Sequence, residues 1–293
     1  MNECTDQPVV SSVIAADALM CSTDPLATTS TCRTYSRLSF HDGQLFDMEE
    51  DELAVETAVA MVYNGIAHTV QMCSAIDLED LAVGFSVTEG IVDDAKQIHG
   101  VEVVPVCNGV EVHIELANRH FERLKRARRN MSGRTGCGIC GTESLQHVVR
   151  AVTPVSDTTT LSHQAIERAL SQFKQHQTLN QQTGSTHAAA YISAKGEILA
   201  IREDVGRHNA LDKLIGHYLT SDYQGGAILV SSRASFEMVQ KTAAANVGIL
   251  LAISGATSMA VDLSEQLNLT LSGYCRTGRM NVYTHSDRIQ FPA

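Results

Sequence analysis

Two pairs of apolar stretches in the first half of the chain predict two β-hairpins. Each pair is joined by Asn-Gly, the residue pair preferred at tight hairpin turns. The stretches are residues 58–63 and 66–72 around Asn64-Gly65, and residues 101–106 and 110–116 around Asn108-Gly109. Between them, Asp77 is placed to cap a helix over residues 78–87 that ends near Glu89. This half is therefore predicted to be a small sheet with a covering helix.

After residue 147 the pattern changes to alternating strands and helices. Helices are predicted over residues 162–174, 209–219, 235–248 and 257–267, and strands over residues 188–192, 198–202, 227–231, 250–253, 269–274 and 280–284. Alternation at this spacing is typical of a layered α/β domain with a largely parallel sheet. We therefore divide the chain into a mobile tail (1–34), an α+β domain with two hairpins (35–130), a loop (131–146) and an α/β domain (147–293).

The composition favours a globular protein over a membrane-spanning or disulfide-rich one. With 44% hydrophobic residues among 293, the chain is globular, and it has no apolar run of the roughly eighteen residues that a membrane-spanning helix needs. Its first residues, rich in Ser and Thr, match neither a secretory nor a transit signal. The eight cysteines are irregularly spaced, which favours reduced thiols over disulfides. We expect a cytoplasmic protein that does not insert into membranes.

Positive charge is concentrated in one short segment of an acidic chain. The net charge is −11, yet residues 119–134 hold seven Lys or Arg residues and a single acid, Glu122. The overall acidity argues against general nucleic-acid binding, because few phosphates could be neutralised. A structural interpretation of this basic run is a surface helix capped by Asn118, with Phe121 and Leu124 packing inward.

Two cysteines, Cys137 and Cys140, follow the basic run in the sequence Gly-Cys-Gly-Ile-Cys-Gly. Neighbouring cations favour thiolate over thiol, and the thiolate is the nucleophilic form. Glycines suit a mobile loop better than a helix or strand. The segment is therefore interpreted as a reactive dithiol on a loop.

Two other chemistries are compatible with the pair Cys137 and Cys140. Cys137, Cys140 and His187 could supply three zinc ligands, as in zinc-dependent deaminases. Those enzymes carry a Glu two residues after the His as proton shuttle, whereas His187 is followed by Ala188 and Ala189. We therefore expect no deaminase chemistry and no permanently bound metal. Dithiol exchange of the thioredoxin kind stays open as a second choice.

Four polar, Gly-containing segments lie where the predicted strands end, which is where ligands gather in α/β sheets. They are residues 183–187, 203–209, 231–235 and 274–279. Each could be helix capping and turn chemistry alone. However, they contribute four arginines that we expect to converge on one edge of the sheet: Arg207, Arg233, Arg276 and Arg279. Guanidinium groups are the usual partners of phosphate oxygens, so this edge is predicted to bind a pyrophosphate.

Taken together, several segments resemble one family, the formate dehydrogenase accessory sulfurtransferases or FdhD sulfur carriers. The resembling segments are residues 82–91, 134–141, 183–189, 202–213, 231–241 and 274–279. The resemblance implies a C-terminal domain with a cytidine-deaminase-like fold, a smaller N-terminal α+β domain, and a cytoplasmic homodimer. It also implies a sulfurtransferase that takes persulfide sulfur from a cysteine desulfurase and passes it to the molybdenum cofactor, bis-molybdopterin guanine dinucleotide, for formate dehydrogenase.

The resemblance assigns roles to individual residues. It implies that Cys137 carries the persulfide and that Cys140 is the second thiol of the pair. The implied cofactor-binding stretch is Tyr274, Cys275, Arg276, Thr277, Gly278 and Arg279, and the predicted sheet edge adds His187, Arg207, His208 and Arg233. A protein that only binds and shelters the cofactor, without sulfur transfer, is the alternative from a different functional class.

Overall fold

The structure is a computed structural model, and it describes residues 30–122, 124 and 151–292. Cys137 and Cys140, the predicted loop 131–146, most of the basic run and most of the predicted tail lie outside the described residues. The predicted division into domains stays a prediction.

The first half contains the small sheet that its sequence predicts. Its strands are β3 (Thr57–Tyr63), β4 (Ile66–Cys73), β5 (Ile98–Val106) and β6 (Gly109–Leu116), in the order β4-β3-β6-β5. Both Asn-Gly hairpins are confirmed, and Asn64 and Gly65 adopt the positive φ that such a turn requires (45° and 79°). Helix α1 (Leu78–Thr88) packs Leu81, Ala82 and Phe85 against one face of the sheet.

The predicted capping of α1 by the Asp77 side chain is wrong. The helix begins after Asp77, but this residue has a φ of 51° and its side chain makes no hydrogen bond to the helix. Its carboxylate instead lies 3.5 Å from Nε of Arg202. The end of the helix is as predicted, since Glu89 follows the last turn and Gly90 has a φ of 68°.

An additional hairpin precedes the small sheet. Strands β1 (Cys32–His41) and β2 (Gln44–Ala54) pair antiparallel around Asp42-Gly43. Residues 32–34, predicted to belong to the tail, are therefore part of β1. Large apolar side chains near the turn are exposed, with Leu38 opposite Met48 and Phe40 opposite Leu45.

The structural interpretation of the basic run is confirmed for its described start. Residues 118–122 form a helical turn in which the amides of His120 and Phe121 donate to the carbonyl of Ala117. Asn118 therefore lies inside the turn rather than capping it. Phe121 and Leu124 pack against the core of the small sheet, as predicted.

The second half is built on a six-stranded sheet in the order β13-β12-β11-β10-β8-β9. Its strands are β8 (His187–Ser193), β9 (Ile198–Asp204), β10 (Gly226–Val230), β11 (Ile249–Ala252), β12 (Thr270–Arg276) and β13 (Arg279–Val282). The expectation of a largely parallel sheet is wrong. Only β10–β11 and β11–β12 are parallel in this sheet, because β9 and β13 return as hairpins and β8 runs opposite to β10.

Helices cover both faces of this sheet, which confirms the predicted α/β class. The helices are α2 (His163–Phe173), α3 (Thr178–Thr183), α4 (Arg207–Leu219), α5 (Phe236–Ala244) and α6 (Ser258–Gln266). Helices α4, α5 and α6 share a buried core with one face. The other face packs against α2 and the short parallel pair β7 (Leu161–Ser162) and β14 (Ile289–Gln290).

Helices α1 and α4 cross at two glycines and so join the small sheet to the large one. A Cβ atom on Gly84 would collide with the carbonyl of Asp212, and one on Gly216 would collide with the carbonyl of Asp80. The two backbones therefore touch directly, and only glycine fits at either position. Beside the crossing, Lys241 of α5 donates to Asp212 (2.9 Å) and to Thr88 (3.0 Å).

Candidate functional site

The topology brings all four predicted polar segments to one edge of the six-stranded sheet. Strands β9, β10, β11 and β12 end at this edge, and β8 and β13 begin there. The sequence-predicted residues at the edge are His187, Arg207, His208, Arg233 and the stretch 274–279. From β9 to β12 there are four strand spacings, about 19 Å. The edge is therefore long, with one cluster at β8–β9, a second at β12–β13, and Arg233 after β10 between them.

His187, the first residue of β8, is half-buried and is oriented by Ser231. The Ser231 hydroxyl accepts from the amide of Ala188 (2.9 Å) and lies 3.5 Å from Nδ1 of His187. In a neutral ring the hydroxyl can donate to Nδ1 or accept from it, so this contact orients His187 in either tautomer.

The surroundings of His187 favour that neutral ring. Burial lowers the pKa of His187, and the positive charges of Arg207 and His208 lower it further, against the opposing effect of Asp204. A neutral imidazole among cations can donate a hydrogen bond to an anion, and it can also take up a proton.

Arg207 and His208 form the first turn of α4. Nε2 of His208 lies 2.8 Å from a carboxylate oxygen of Glu237, in the first turn of α5. This close contact with His208 is the main cause that lowers the pKa of Glu237, with Arg207 and Lys241 adding to it. The pair ties the starts of two helices together at the edge.

Beneath this turn lies Asp204, a completely buried acid of the predicted segment 203–209 to which the sequence analysis assigned no role. Its carboxylate accepts from Nζ of Lys213 (2.6 Å), the amide of Gly206 (2.7 Å) and the amide of Ser74 (3.0 Å). Lys213 is also completely buried, and it donates to the carbonyl of Ser74 (2.9 Å). Asp204 therefore holds the end of β9, the start of α4 and the end of β4 together.

Glu203, its neighbour, anchors the segment that leads into His187. Its carboxylate accepts from the amides of Leu179 (2.9 Å) and Asn180 (2.8 Å) at the start of α3. It also accepts from the Thr186 hydroxyl (3.3 Å). Glu203 also belongs to the predicted segment 203–209, but its spacing from these partners along the chain gives no sequence signal for the anchoring contacts.

The second cluster is the turn between β12 and β13. Tyr274 has a φ of 53°, its amide donates to the carbonyl of Ser254 (2.9 Å), and its ring lies against Gly255. The Arg279 guanidinium lies over this ring, 5.8 Å from its centroid. Arg276 and Arg279 are directly opposite each other across the hairpin. Two exposed cations thus flank the turn formed by Thr277 and Gly278.

Cys275 differs from the rest of the predicted stretch. Its side chain is completely buried in the core under the sheet, and burial raises the pKa of its thiol to about 12. Cys275 can therefore reach a ligand only through its backbone, whereas Tyr274, Arg276, Thr277 and Arg279 are exposed.

The part of the chain that the structure describes holds no group of three or more His, Cys, Asp or Glu side chains arranged to bind a metal ion. The zinc alternative involves Cys137 and Cys140, which lie outside the described residues, so it stays open. Nor does any described helix have the length and apolar character needed to cross a membrane.

Comparison with known proteins gives two findings. The model of the FdhD/NarQ family matches residues 54–290. The fold is similar to the crystal structure of a protein from Desulfotalea psychrophila that carries the provisional description of a formate dehydrogenase accessory protein. That match has a TM-score of 0.70 and 21% sequence identity, and it covers 89% of this chain and 100% of the other.

Proposed function

Because the chain belongs to the FdhD/NarQ family, we propose that it takes part in the maturation of formate dehydrogenase as a sulfur carrier. In this proposal Cys137 accepts sulfur from the persulfide of a cysteine desulfurase. The protein then delivers that sulfur to bis-molybdopterin guanine dinucleotide bound as a substrate at the sheet edge. The cytoplasm as its location and a homodimer as its assembly are parts of the same proposal.

The observation that carries the proposal is the composition of the sheet edge. Four arginines follow or flank strands that end there, and His187, whose pKa is lowered by burial and by Arg207, lies in the cluster at β8–β9. Guanidinium groups bind phosphate oxygens with two parallel hydrogen bonds. An edge about 19 Å long can therefore bind an extended dianion or polyanion at more than one place. A pterin dinucleotide carries its pyrophosphates within such an extended molecule.

The loading step is an exchange between two sulfur compounds. The Cys137 thiolate attacks the outer sulfur of the desulfurase persulfide, the bond between the two persulfide sulfurs breaks, and the desulfurase cysteine leaves as a thiolate. A cysteine thiol ordinarily titrates near ~8.5, so a modest lowering of its pKa would make the thiolate abundant at neutral pH. Residues 119–134 hold seven cations close in sequence to Cys137, and their positive charge would lower the pKa of its thiol.

Unloading requires the outer sulfur to leave Cys137. In one route the bond between the two persulfide sulfurs breaks, Cys137 leaves as a thiolate, and the cofactor that receives the outer sulfur supplies the two electrons that reduce it. In the other, the Cys140 thiolate attacks the Cys137 sulfur, the outer sulfur leaves in reduced form, and a Cys137–Cys140 disulfide remains. Full sulfuration of the cofactor by Cys140→Ser would exclude the second route.

The test is persulfide loading of the purified protein by a cysteine desulfurase and cysteine. We expect the peptide that contains Cys137 to gain the mass of one sulfur atom, and reductant to remove it. Cys137→Ala should abolish the gain, whereas Cys107→Ala, which removes an exposed cysteine at the β5–β6 turn, should not change it.

Two results would contradict the proposal. Normal formate dehydrogenase activity in cells that carry Cys137→Ala would overturn sulfur transfer through this residue. Tight nucleotide binding without any sulfur gain would instead support the alternative, a protein that binds and shelters the cofactor.

A further inference from the structure

The turn between β12 and β13 holds two like charges face to face. Arg276 and Arg279 are paired across the hairpin, and both are exposed. Like charges directly opposite each other on neighbouring strands destabilise their pairing. The two residues between them include Gly278, whose φ is 77° and which has no neighbouring atom within 4 Å of a Cβ position. A contact from outside the hairpin would therefore help to hold the turn in one conformation.

Glu167 supplies that contact from a different layer of the molecule. It lies on α2, and both of its carboxylate oxygens are 3.0 Å from the amide nitrogen of Gly278. The Glu167 side chain is 20% exposed, and the hydrogen bond lies at the surface because Gly278 is exposed. A charged acceptor makes a hydrogen bond roughly twice as strong as a neutral one does. This single contact joins the helix behind the sheet to the tip of the turn.

The surroundings of Glu167 show that the Gly278 amide is the main polar partner of its carboxylate. Nε2 of His163, one helical turn earlier, lies 3.6 Å from Glu167 Oε1, beyond hydrogen-bond distance. The negative charge of Glu167 is also felt by the buried Cys275 thiol, whose pKa it helps to raise. The Gly278 amide is thus the closest polar partner that the described residues give to this carboxylate.

We propose that Glu167 is a positioning residue of the anion site: through the Gly278 amide it fixes the turn so that the Arg276 and Arg279 guanidinium groups face one diphosphate. This rests on the proposed function, in which the same turn binds the pyrophosphate of a guanine nucleotide. Glu167 does not touch the ligand. Its effect is on the geometry of the two arginines.

Simple electrostatics makes the opposite prediction. A carboxylate within about 8 Å of a bound phosphate repels it, so removing the charge should tighten binding. If Glu167 instead positions the two arginines, removal of its carboxylate should weaken binding of the phosphate. The direction of the change therefore separates the two roles.

The experiment is titration of the full-length protein with GDP, chosen because it carries one guanine and one diphosphate. We expect Glu167→Ala to weaken GDP binding about tenfold, because the turn loses its only charge-assisted contact among the described residues. Glu167→Gln keeps a carbonyl oxygen that can accept from Gly278 but makes a bond about half as strong, and we expect it to weaken GDP binding only about threefold.

A matched control is Glu265→Gln. Glu265 is also a carboxylate beside a histidine, 3.7 Å from Nε2 of His285, but it lies on α6 and its side chain is 67% exposed. It changes the net charge in the same way without reaching the turn, and GDP affinity should not change. A second readout is hydrogen exchange at the Gly278 amide, which should accelerate in Glu167→Ala and stay slow in Glu167→Gln.

Each outcome decides between the two proposals. If the parent chain binds GDP and Glu167→Ala binds it equally well or more tightly, the positioning role is overturned and the anion site stands. If Glu167→Gln weakens binding as much as Glu167→Ala does, keeping an acceptor for the Gly278 amide makes no difference, and the role is again overturned. If the parent chain does not bind GDP, the anion site itself fails and the positioning role fails with it.

Discussion

The two clusters at the sheet edge are held in place by different means. At β8–β9, the turn that carries Arg207 and His208 lies on a completely buried ion pair, Asp204 with Lys213, and is tied to a neighbouring helix by Glu237. At β12–β13, the turn between Arg276 and Arg279 is exposed and receives one carboxylate, Glu167, at its tip.

This difference predicts that changes in the first cluster lower the stability of the protein, whereas changes in the second lower its affinity for the ligand. Groups that fix the β8–β9 cluster are part of the core, so a change there is expected to destabilise the whole protein. The contact that fixes the β12–β13 turn lies near the surface, so its loss should change ligand affinity while the fold persists. The largest effect that tests this comparison is therefore expected from the buried pair.

Asp204→Asn should lower the free energy of unfolding by about 3–5 kcal/mol, because it leaves the Lys213 ammonium buried without a counter-charge. Denaturant titration measures this. Asp222→Asn, which neutralises an exposed acid, is the control and should stay within about 0.5 kcal/mol of the parent chain. A loss below about 1 kcal/mol for Asp204→Asn would show that this cluster does not depend on the buried pair.

Gly216→Ala tests the support of the same cluster from the other end of α4. The added methyl group would collide with the carbonyl of Asp80 on α1, and we expect a loss of about 1–3 kcal/mol. Without that collision, alanine would stabilise a helix by about 1 kcal/mol relative to glycine, so the sign is informative.

The control for Gly216→Ala is Gly100→Ala in β5, where the nearest atom to the new methyl group is 3.6 Å away, at the Glu115 carboxylate. It should not lower the melting temperature. A rise in melting temperature for Gly216→Ala would contradict direct backbone contact between the helices.

The smallest expected effect concerns the pH dependence of stability at His187. Its pKa is lowered in the folded protein, first by burial and then by Arg207 and His208, so below about pH 6.5 the unfolded chain binds more protons than the folded one does. Stability from this group is therefore lost as the pH falls through that value. His187→Gln should lose less stability than the parent chain between pH 7 and pH 5.

His176→Gln, which removes an exposed histidine, is the control for this pH series. Denaturant midpoints measured across the pH range give the comparison. If His187→Gln and the parent chain lose equal stability, His187 is not held in a neutral form by its neighbours.

Local residue patterns predicted most of the elements because those elements form from neighbours in the chain. Asn64-Gly65 and Asn108-Gly109 determined two hairpins, and alternating strands and helices correctly indicated an α/β class. The β1–β2 hairpin was missed although Asp42-Gly43 is a recognised turn pair, because its strands are rich in polar and acidic residues and β1 is exposed along most of its length.

Long-range partners explain what the sequence could not predict. The expected parallel sheet became a mixed one because strand direction depends on whether a chain returns directly or crosses over, and β8–β9 and β12–β13 both return directly. Asp77 was expected to cap α1, but Arg202, more than a hundred residues later, holds its carboxylate. Glu167 accepts from a backbone amide, which has no side chain for a sequence pattern to reveal.

The rule that ligands gather where strands end did place the predicted arginines on one edge. Their binding role stays a prediction, as do the roles of Cys137 and Cys140. The rule could not predict that this edge divides into two clusters about 19 Å apart, because the order of the strands follows from tertiary pairing.

The contact between Gly84 and Gly216 has a mechanical consequence. No side-chain layer separates α1 from α4 at this crossing, because each backbone packs directly on the other. The small sheet that α1 covers and the start of α4, with Arg207 and His208, are therefore expected to shift together rather than independently.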